Sequence, residues 1–369
     1  GVGEAGMGLC CGMIGLPNVG KTTVFNALVG AGAVTANYPF TTVETNIGIA
    51  PVPDPRLNRL AEIFRSRKMT SSTLEVRDIA GLVQGASQGE GLGNQFLAQI
   101  REVDALVHVV RCFQNSDVVH IGGSVDPLRD IETVEAELML ADLEAVDRRK
   151  QRVEKQRKAG DAKATEEIAF LQKLKELLSS RQWLGGQTFT VDERALVNGY
   201  QLLSAKPALF VANASETVSM DDPLIRSVGE QAAKKGARMV VLCGQLEEEI
   251  SALPESERAD YLKELGLKES GLVRLAAIAY ELLQLITFFT ANEHEAKAWP
   301  IRRGTKAQEA AGKIHSDMER GFIRAEVSAY DDLIACGSVA GVREKGLFRL
   351  EGRDYVIKEG DVVYFRFNV

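Results

Sequence analysis

The chain has 369 residues, 45% of them hydrophobic and 26% charged, with a formal net charge of -7 at pH 7. This is the balance of a water-soluble globular protein long enough for two or three domains, and it excludes a fibrous, low-complexity or membrane-embedded chain. The acidic surplus gives no global attraction to nucleic acid or to an anionic membrane, so any such contact has to come from a local patch.

From Leu9 to about Arg111 short apolar runs, LCCGMIGL, VETNIGIAPV, TLEVRDIAGL and DALVHVVRCF, alternate with helical stretches. That rhythm predicts a mostly parallel α/β sheet with crossover helices on both faces. From Ile131 to about Ser180 the chain turns helical and charged. Leu138, Leu140, Leu143, Val146 and Val153 form a partial seam that predicts an inserted helical hairpin. Strand signals resume at PALFVANA and ARMVVLCG, so the first domain is expected to be discontinuous. The apolar segment Leu272 to Ala291 is interrupted by Arg274, Glu281 and Gln284, which predicts a packed helix and no membrane span. The tail mixes strands, a helix and glycine turns and reads as a small α+β unit. The expected division is 8–130 and 205–284 for the discontinuous first domain, 131–204 for the insertion and 285–369 for the tail.

Five cysteines, Cys10, Cys11, Cys112, Cys243 and Cys336, show no metal-type spacing. They are expected to be reduced thiols of a cytoplasmic protein. The N-terminal GVGEAGMG lacks a basic region followed by an apolar one, so no secretory leader is expected.

GLPNVGKT, Gly15 to Thr22, fits G-x-x-x-x-G-K-[ST], directly after an apolar strand and directly before a helical run. Loop amides at Asn18, Val19, Gly20 and Thr23 can ring a phosphate, and Lys21 supplies a charge to the outer phosphates. The Thr22 hydroxyl is placed to ligate Mg²⁺. Asp78 ends the strand LEVRD, where an acid can hold the metal through water while the Gly81 amide meets the γ-phosphate. NYPFTT, Asn37 to Thr42, lies between them and can bring the Thr42 hydroxyl to the metal.

With GLPNVGKTTVFNAL, ANYPFTT, DIAGLVQGASQGEGLGNQFLAQIREVDALVHVVRCF and RRGTKAQEAAGKIHSDMERGFIRAEV in place, the chain resembles the YchF family of Obg-like ATPases over essentially its whole length. The resemblance implies a translation-factor-type P-loop fold with a helical insertion and a C-terminal TGS domain of ubiquitin-like α+β fold. It also implies ribosome association and hydrolysis of ATP in preference to GTP.

GTPases of this fold carry Asn-Lys-x-Asp where this chain has Asn213-Ala-Ser-Glu216. Ala214 cannot cover a base as lysine does, and Glu216 is one methylene too long for the bidentate pair with guanine. Losing that pair removes roughly 1–3 kcal/mol of guanine preference. Asn213 is expected to touch the base edge and the Ala214 backbone to read adenine. LCGQLEEEI, Leu242 to Ile250, is the expected second wall. After Asp-x-x-Gly the chain has Leu82, which cannot orient water. His120 matches a family histidine proposed to act on the water, with Gln84 as an alternative, while His108 reads as a core residue. Asn18 is a candidate ligand for K⁺. The run RRKQRVEKQRK, Arg148 to Lys158, holds seven basic residues against one acidic. With Arg302, Arg303 and Lys306 of the tail it is the expected contact with RNA and the ribosome.

Overall fold

In a computed structural model of the chain, residues 9–30, 46–79, 92–115, 120–158 and 160–368 are described. The strands run in chain order β1 (Cys10–Ile14), β2 (Asn46–Val52), β3 (Lys68–Thr70), β4 (Ser72–Asp78), β5 (Ala105–Cys112), β6 (Ala208–Ala214), β7 (Arg238–Leu242), β8 (Leu285–Ala291), β9 (Glu295–Arg302), β10 (Phe322–Ala329), β11 (Arg349–Glu351) and β12 (Asp361–Phe367).

Two compact units emerge. The first holds Glu75–Ala279 and the described residues up to Ile49; the second holds Ala50–Leu74 and Tyr280–Val369. The first unit is built on the sheet β2-β4-β1-β5-β6-β7. Its pairs β1–β4, β1–β5, β5–β6 and β6–β7 are parallel. All of β1 and β5 is buried, as is all of β6 but its first residue, which explains their near-continuous apolar sequence. Parallel register puts the carboxyl ends of β1, β4, β5, β6 and β7 on one edge, where such sheets place their ligands.

The insertion is a helical hairpin, Pro127–Gln156 and Ala162–Ser179. Asp126 caps the first helix at Arg129 N and Asp161 caps the second at Ala164 N. Val146 and Val153 pack against Leu171 and Leu174, with Leu143 half-buried beside them. Leu140 departs from the expected seam: it is 41% exposed, because it lies on the outer side of the helix. The hairpin belongs by its contacts to the first unit. Asp142 anchors it, accepting from Leu203 N and Ser204 N at 2.7 Å each and from Ser204 Oγ at 2.6 Å. Burial pushes the Asp142 carboxyl up to about 6 against those bonds.

A second buried acid on this helix carries a pH prediction. Glu135 is 6% exposed. Burial pushes its pKa up to about 7, although Lys235 Nζ lies 3.3 Å away. That nitrogen is close enough for charge attraction but not aligned as a hydrogen bond, since Glu135 Oε1 has no hydrogen-bond partner. A folded-state pKa above the unfolded value means the stability contribution is complete below the unfolded pKa. It is lost as pH rises through about 7. Glu135→Gln should therefore match the parent protein near pH 5 and exceed it near pH 8 by on the order of 2 kcal/mol in urea unfolding. Parallel pH profiles of the two proteins would sink this assignment.

The second unit is the sheet β11-β10-β12-β8-β9-β3. Pairs β8–β9, β10–β11 and β10–β12 are antiparallel, and β3–β9 and β12–β8 parallel. One face packs Ile286, Phe288, Ala325, Val327 and Phe365 with the helix Ala307–Ile314. The other packs Phe289, Ala296 and Ala298 with Leu57 and Leu60 of the helix Pro55–Phe64. Two expectations change here. The stretch between β2 and β4, read as part of the nucleotide-binding domain, clusters with the C-terminal unit (Ala50–Leu74), where β3 pairs with β9, while the flanking strands β2 and β4 remain members of the first sheet. The segment 272–291 is not one helix: the helix Gly271–Leu282 gives way to β8. Its second half, LITFFTA, is β-branched and aromatic, which suits a strand. No helix among the described residues is long and apolar enough to cross a membrane.

Candidate active site

The phosphate loop follows β1. A Cβ at Gly15 would lie 2.6 Å from the Val109 carbonyl oxygen, so the loop can pass β5 only as glycine. Asn18 and Gly20 both take left-handed backbone, with φ of 63° and 84°. The helix Lys21–Val29 then starts with no side-chain cap and no acid in its first turn. Its first N–H groups therefore remain for an anion. Asn18 and Thr22 are exposed, Thr23 half-buried and Val19 buried.

Lys21 and Asp78 are 8% and 7% exposed and form an ion pair through Lys21 Nζ and Asp78 Oδ1. Thr22 Oγ1 donates to Asp78 Oδ2 at 3.0 Å. Residues from the loop after β1 and from the end of β4 thus converge as expected, with Lys21 held as a buried ion-pair partner. The Thr22 hydroxyl and the Asp78 carboxylate are adjacent hard oxygen donors beside the phosphate loop, a set that fits Mg²⁺. Thr42, Gly81, Leu82 and Gln84 lie outside the described residues.

Beside the loop opens a cavity of about 640 Å³ lined by Asn18, Gly20, Phe113, Ala214, Glu216 and Gln245, among others. Leu246, Glu248 and Glu249 also line it, so the stretch expected as the second wall does form one. Asn213 lines this cavity and also ties the frame together. Its Nδ2 donates to the Val19 carbonyl and its Oδ1 accepts from Gly244 N, both at 2.9 Å. These bonds make the amide a strap between the phosphate loop and the helix Gly244–Ala252. Ala214 is buried and Glu216 exposed on the cavity wall.

Two residues that the sequence did not single out complete the frame. Arg111 on β5 is 1% exposed. It donates to the carbonyls of Asn18 (3.3 Å), Phe113 (3.2 Å) and Asn115 (3.3 Å) and stacks 4.4 Å over the Phe113 ring. Burial lowers its pKa, opposed by the charge of Asp130. A lone arginine in the apolar VHVVRC was the available signal. The other residue is Asp130. Its Oδ2 lies 2.6 Å from His120 Nε2, while His120 Nδ1 accepts from Gly122 N at 2.9 Å. This pattern puts the ring proton on Nε2, which donates to Asp130. His120 is 8% exposed and lines neither the cavity nor the recess of about 390 Å³ at Leu16–Thr23. Both ring nitrogens are thus engaged, one by its own loop at Gly122 and one by Asp130 in the first turn of the helix Pro127–Gln156. His108 is a core residue, its ring tilted 35° against Phe210 at 5.4 Å, and burial lowers its pKa to about 3.

Comparison with known proteins agrees with this geometry. A family model described as 50S ribosome-binding GTPase matches residues 10–141. The C-terminal model of the YchF GTPases, described as a protein of unknown function, matches 285–368. The chain is similar to "Ribosome-binding ATPase YchF" of Bacillus subtilis, 49% identical over 98% of this chain and 100% of the relative. It is 48% identical to the protein of that name from Haemophilus ducreyi, with the same coverage of each. Among solved structures it resembles the Schizosaccharomyces pombe YchF GTPase, with a TM-score of 0.84, 33% identity and 97% of each chain covered. With a phosphate loop strapped by Asn213 and Arg111, a Lys21–Asp78–Thr22 cluster beside it and relatives of this identity spanning its full length, the chain belongs to the YchF family.

Proposed function

We propose that the chain binds ATP with Mg²⁺, hydrolyses it slowly and associates with ribosomes in the cytoplasm. The observation that carries this reading is the phosphate loop opening onto a cavity whose two guanine-reading positions are Ala214 and Glu216. Entry of a triphosphate exchanges Lys21's carboxylate partner for phosphate oxygens and releases Asp78. Mg²⁺ would be held by the Thr22 hydroxyl, by Thr42 and, through water, by Asp78, and would neutralise phosphate charge there. The loop amides and Lys21 stabilise charge on the transferred group, and the Gly81 amide meets the γ-phosphate. K⁺ at Asn18 would add charge at the same end; exchanging it for Na⁺ should then slow turnover.

His120 is the proposed holder of the water. The supporting feature is its pairing with Asp130, which fixes the tautomer and leaves Nδ1 as the basic nitrogen. Water at Nδ1 has to replace the Gly122 amide. Single-turnover ATP hydrolysis, with and without purified ribosomes, tests the whole reading: ribosomes should accelerate it. His120→Ala should lower that rate by roughly 10²-fold while ATP affinity stays within about twofold. Equal rates for parent and variant would leave the histidine with only its bonds to Asp130 and Gly122. Ribosome binding set by ATP occupancy, with no acceleration, would instead favour a switch in which hydrolysis is incidental.

RNA is the proposed ribosomal contact, reached through the insertion and the C-terminal TGS-like unit. Within the run Arg148 to Lys158, Arg149 pairs with Glu167 at 2.8 Å, and Arg148 and Lys150 have acidic neighbours at 3.6 and 3.9 Å. Arg152, Lys155, Arg157 and Lys158 are exposed at the hairpin tip, which is the part of the run best suited to phosphates.

A further inference from the structure

The C-terminal unit carries an arginine cluster that local sequence patterns do not reveal. On β10, Ala325 and Val327 enter the core while Arg324 and Glu326 take the other face; on β12, Val363 and Phe365 enter the core while Tyr364 and Arg366 share that face. The register sets Arg324 directly opposite Arg366 and Glu326 opposite Tyr364. Like charges facing each other across a ladder are destabilising, so this pairing needs an anion to offset it.

One anion is built in. Glu326, 8% exposed, accepts from Arg366 Nε at 2.9 Å, and guanidinium nitrogens of Arg324 and Arg343 lie 3.6 Å from its carboxylate. Three positive charges against one negative leave a surplus of two. A single carboxylate has about four acceptor sites, far fewer than the fifteen or so N–H donors of three guanidiniums. The arginine side chains are 50%, 50% and 56% exposed, so donors held in place by Glu326 also face solvent. Flat surfaces accompany the charge. Arg366 stacks 4.5 Å over the Tyr364 ring and Arg343 stacks 4.2 Å over Phe348, while Tyr364 is 54% exposed. Beside them lies a recess of about 210 Å³, room for a single planar ring rather than for a duplex.

We propose that this face binds single-stranded RNA, with phosphates on Arg324, Arg343 and Arg366 and a base stacked on Tyr364. The choice of RNA rests on the ribosome-binding reading; fixed donors beside exposed aromatic faces match alternating phosphate and base. These residues differ from the tail residues first expected, of which Lys306 pairs with Asp354 at 2.8 Å.

The test uses the full chain and a fluorescein-labelled oligoadenylate of about 12 nucleotides, a length typical of single-strand sites. Arg324→Gln with Arg366→Gln should weaken anisotropy-detected binding at least about tenfold. It should also reduce the salt slope by roughly 0.7 for each phosphate no longer neutralised. Tyr364→Ala should weaken binding about fivefold or more with the salt slope unchanged. Lys306→Gln should change neither; every variant should keep the parent rate of ATP hydrolysis, and a fall in melting temperature is expected for the double arginine variant alone, because it takes two cations from the buried Glu326. Parent protein that sediments with ribosomes but binds the oligonucleotide no better than the variants would overturn the assignment of this face. Parent protein that fails to sediment with ribosomes would overturn the ribosome reading instead. Equal binding of an oligoglutamate peptide, with Tyr364→Ala harmless to both, would make this an acidic-protein dock and end the proposal.

Discussion

Lys21→Ala should lower ATP affinity by roughly 10²-fold or more, the loss expected when a charge-assisted bond to phosphate is removed from a loop that otherwise offers only amides. The structure adds a second consequence that the motif alone does not contain. Lys21 and Asp78 are both more than nine-tenths buried and paired, so among the described residues alanine leaves Asp78 with the Thr22 hydroxyl as its hydrogen-bond partner. Removing one member of a buried pair costs about 3–5 kcal/mol, most of it the penalty of the charge left behind. The single variant should therefore melt lower as well as bind poorly. Lys21→Ala combined with Asp78→Asn should recover much of the melting temperature and none of the affinity. Scanning calorimetry and ATP titration of both proteins separate the two effects. An unchanged ATP affinity in Lys21→Ala would remove the phosphate-loop assignment.

Asn213→Ala should be nearly as damaging, and for a reason that lies in the fold. The substitution breaks two buried bonds at once and orphans the Val19 carbonyl and the Gly244 amide. Each unsatisfied group costs about 1–3 kcal/mol, so a stability loss of about 2–6 kcal/mol is expected. In a unit of this size that is roughly a 10 °C fall in melting temperature. ATP affinity should drop with it, because Val19 lies within the phosphate loop. Asn213→Asp is the sharper probe: its carboxylate can still accept from Gly244 but faces the Val19 carbonyl with a like dipole. It should be no better than alanine despite its size. An aspartate variant with parent stability would show that the strap is not what holds the loop.

The parts of this site that could be read in the sequence are those whose chemistry is local. Gly15, Gly20, Lys21 and Thr22 are legible because eight consecutive residues specify a backbone path, and Asp78 because an acid closes an apolar strand. The role of Asn213 was not legible: its partners stand 194 and 31 residues away, and a motif position shows the side chain without its bonds. Arg111 was hidden inside a strand whose every residue is buried. The membership of 50–74 was equally out of reach, since β3 is three residues long and its pairing with β9 joins segments more than two hundred residues apart. Periodicity reports a strand and a helix there but not the sheet they enter.

The central claim is that this phosphate loop serves a nucleoside site whose guanine code has been erased at Ala214 and Glu216. Calorimetric titration of the purified chain with ATP and then GTP, in Mg²⁺ and K⁺, tests it most directly. ATP should bind at least several-fold more tightly, and Ala214→Lys with Glu216→Asp should move the preference toward GTP by roughly tenfold, the worth of one bidentate base contact. Tighter binding of GTP by the parent chain would contradict the account.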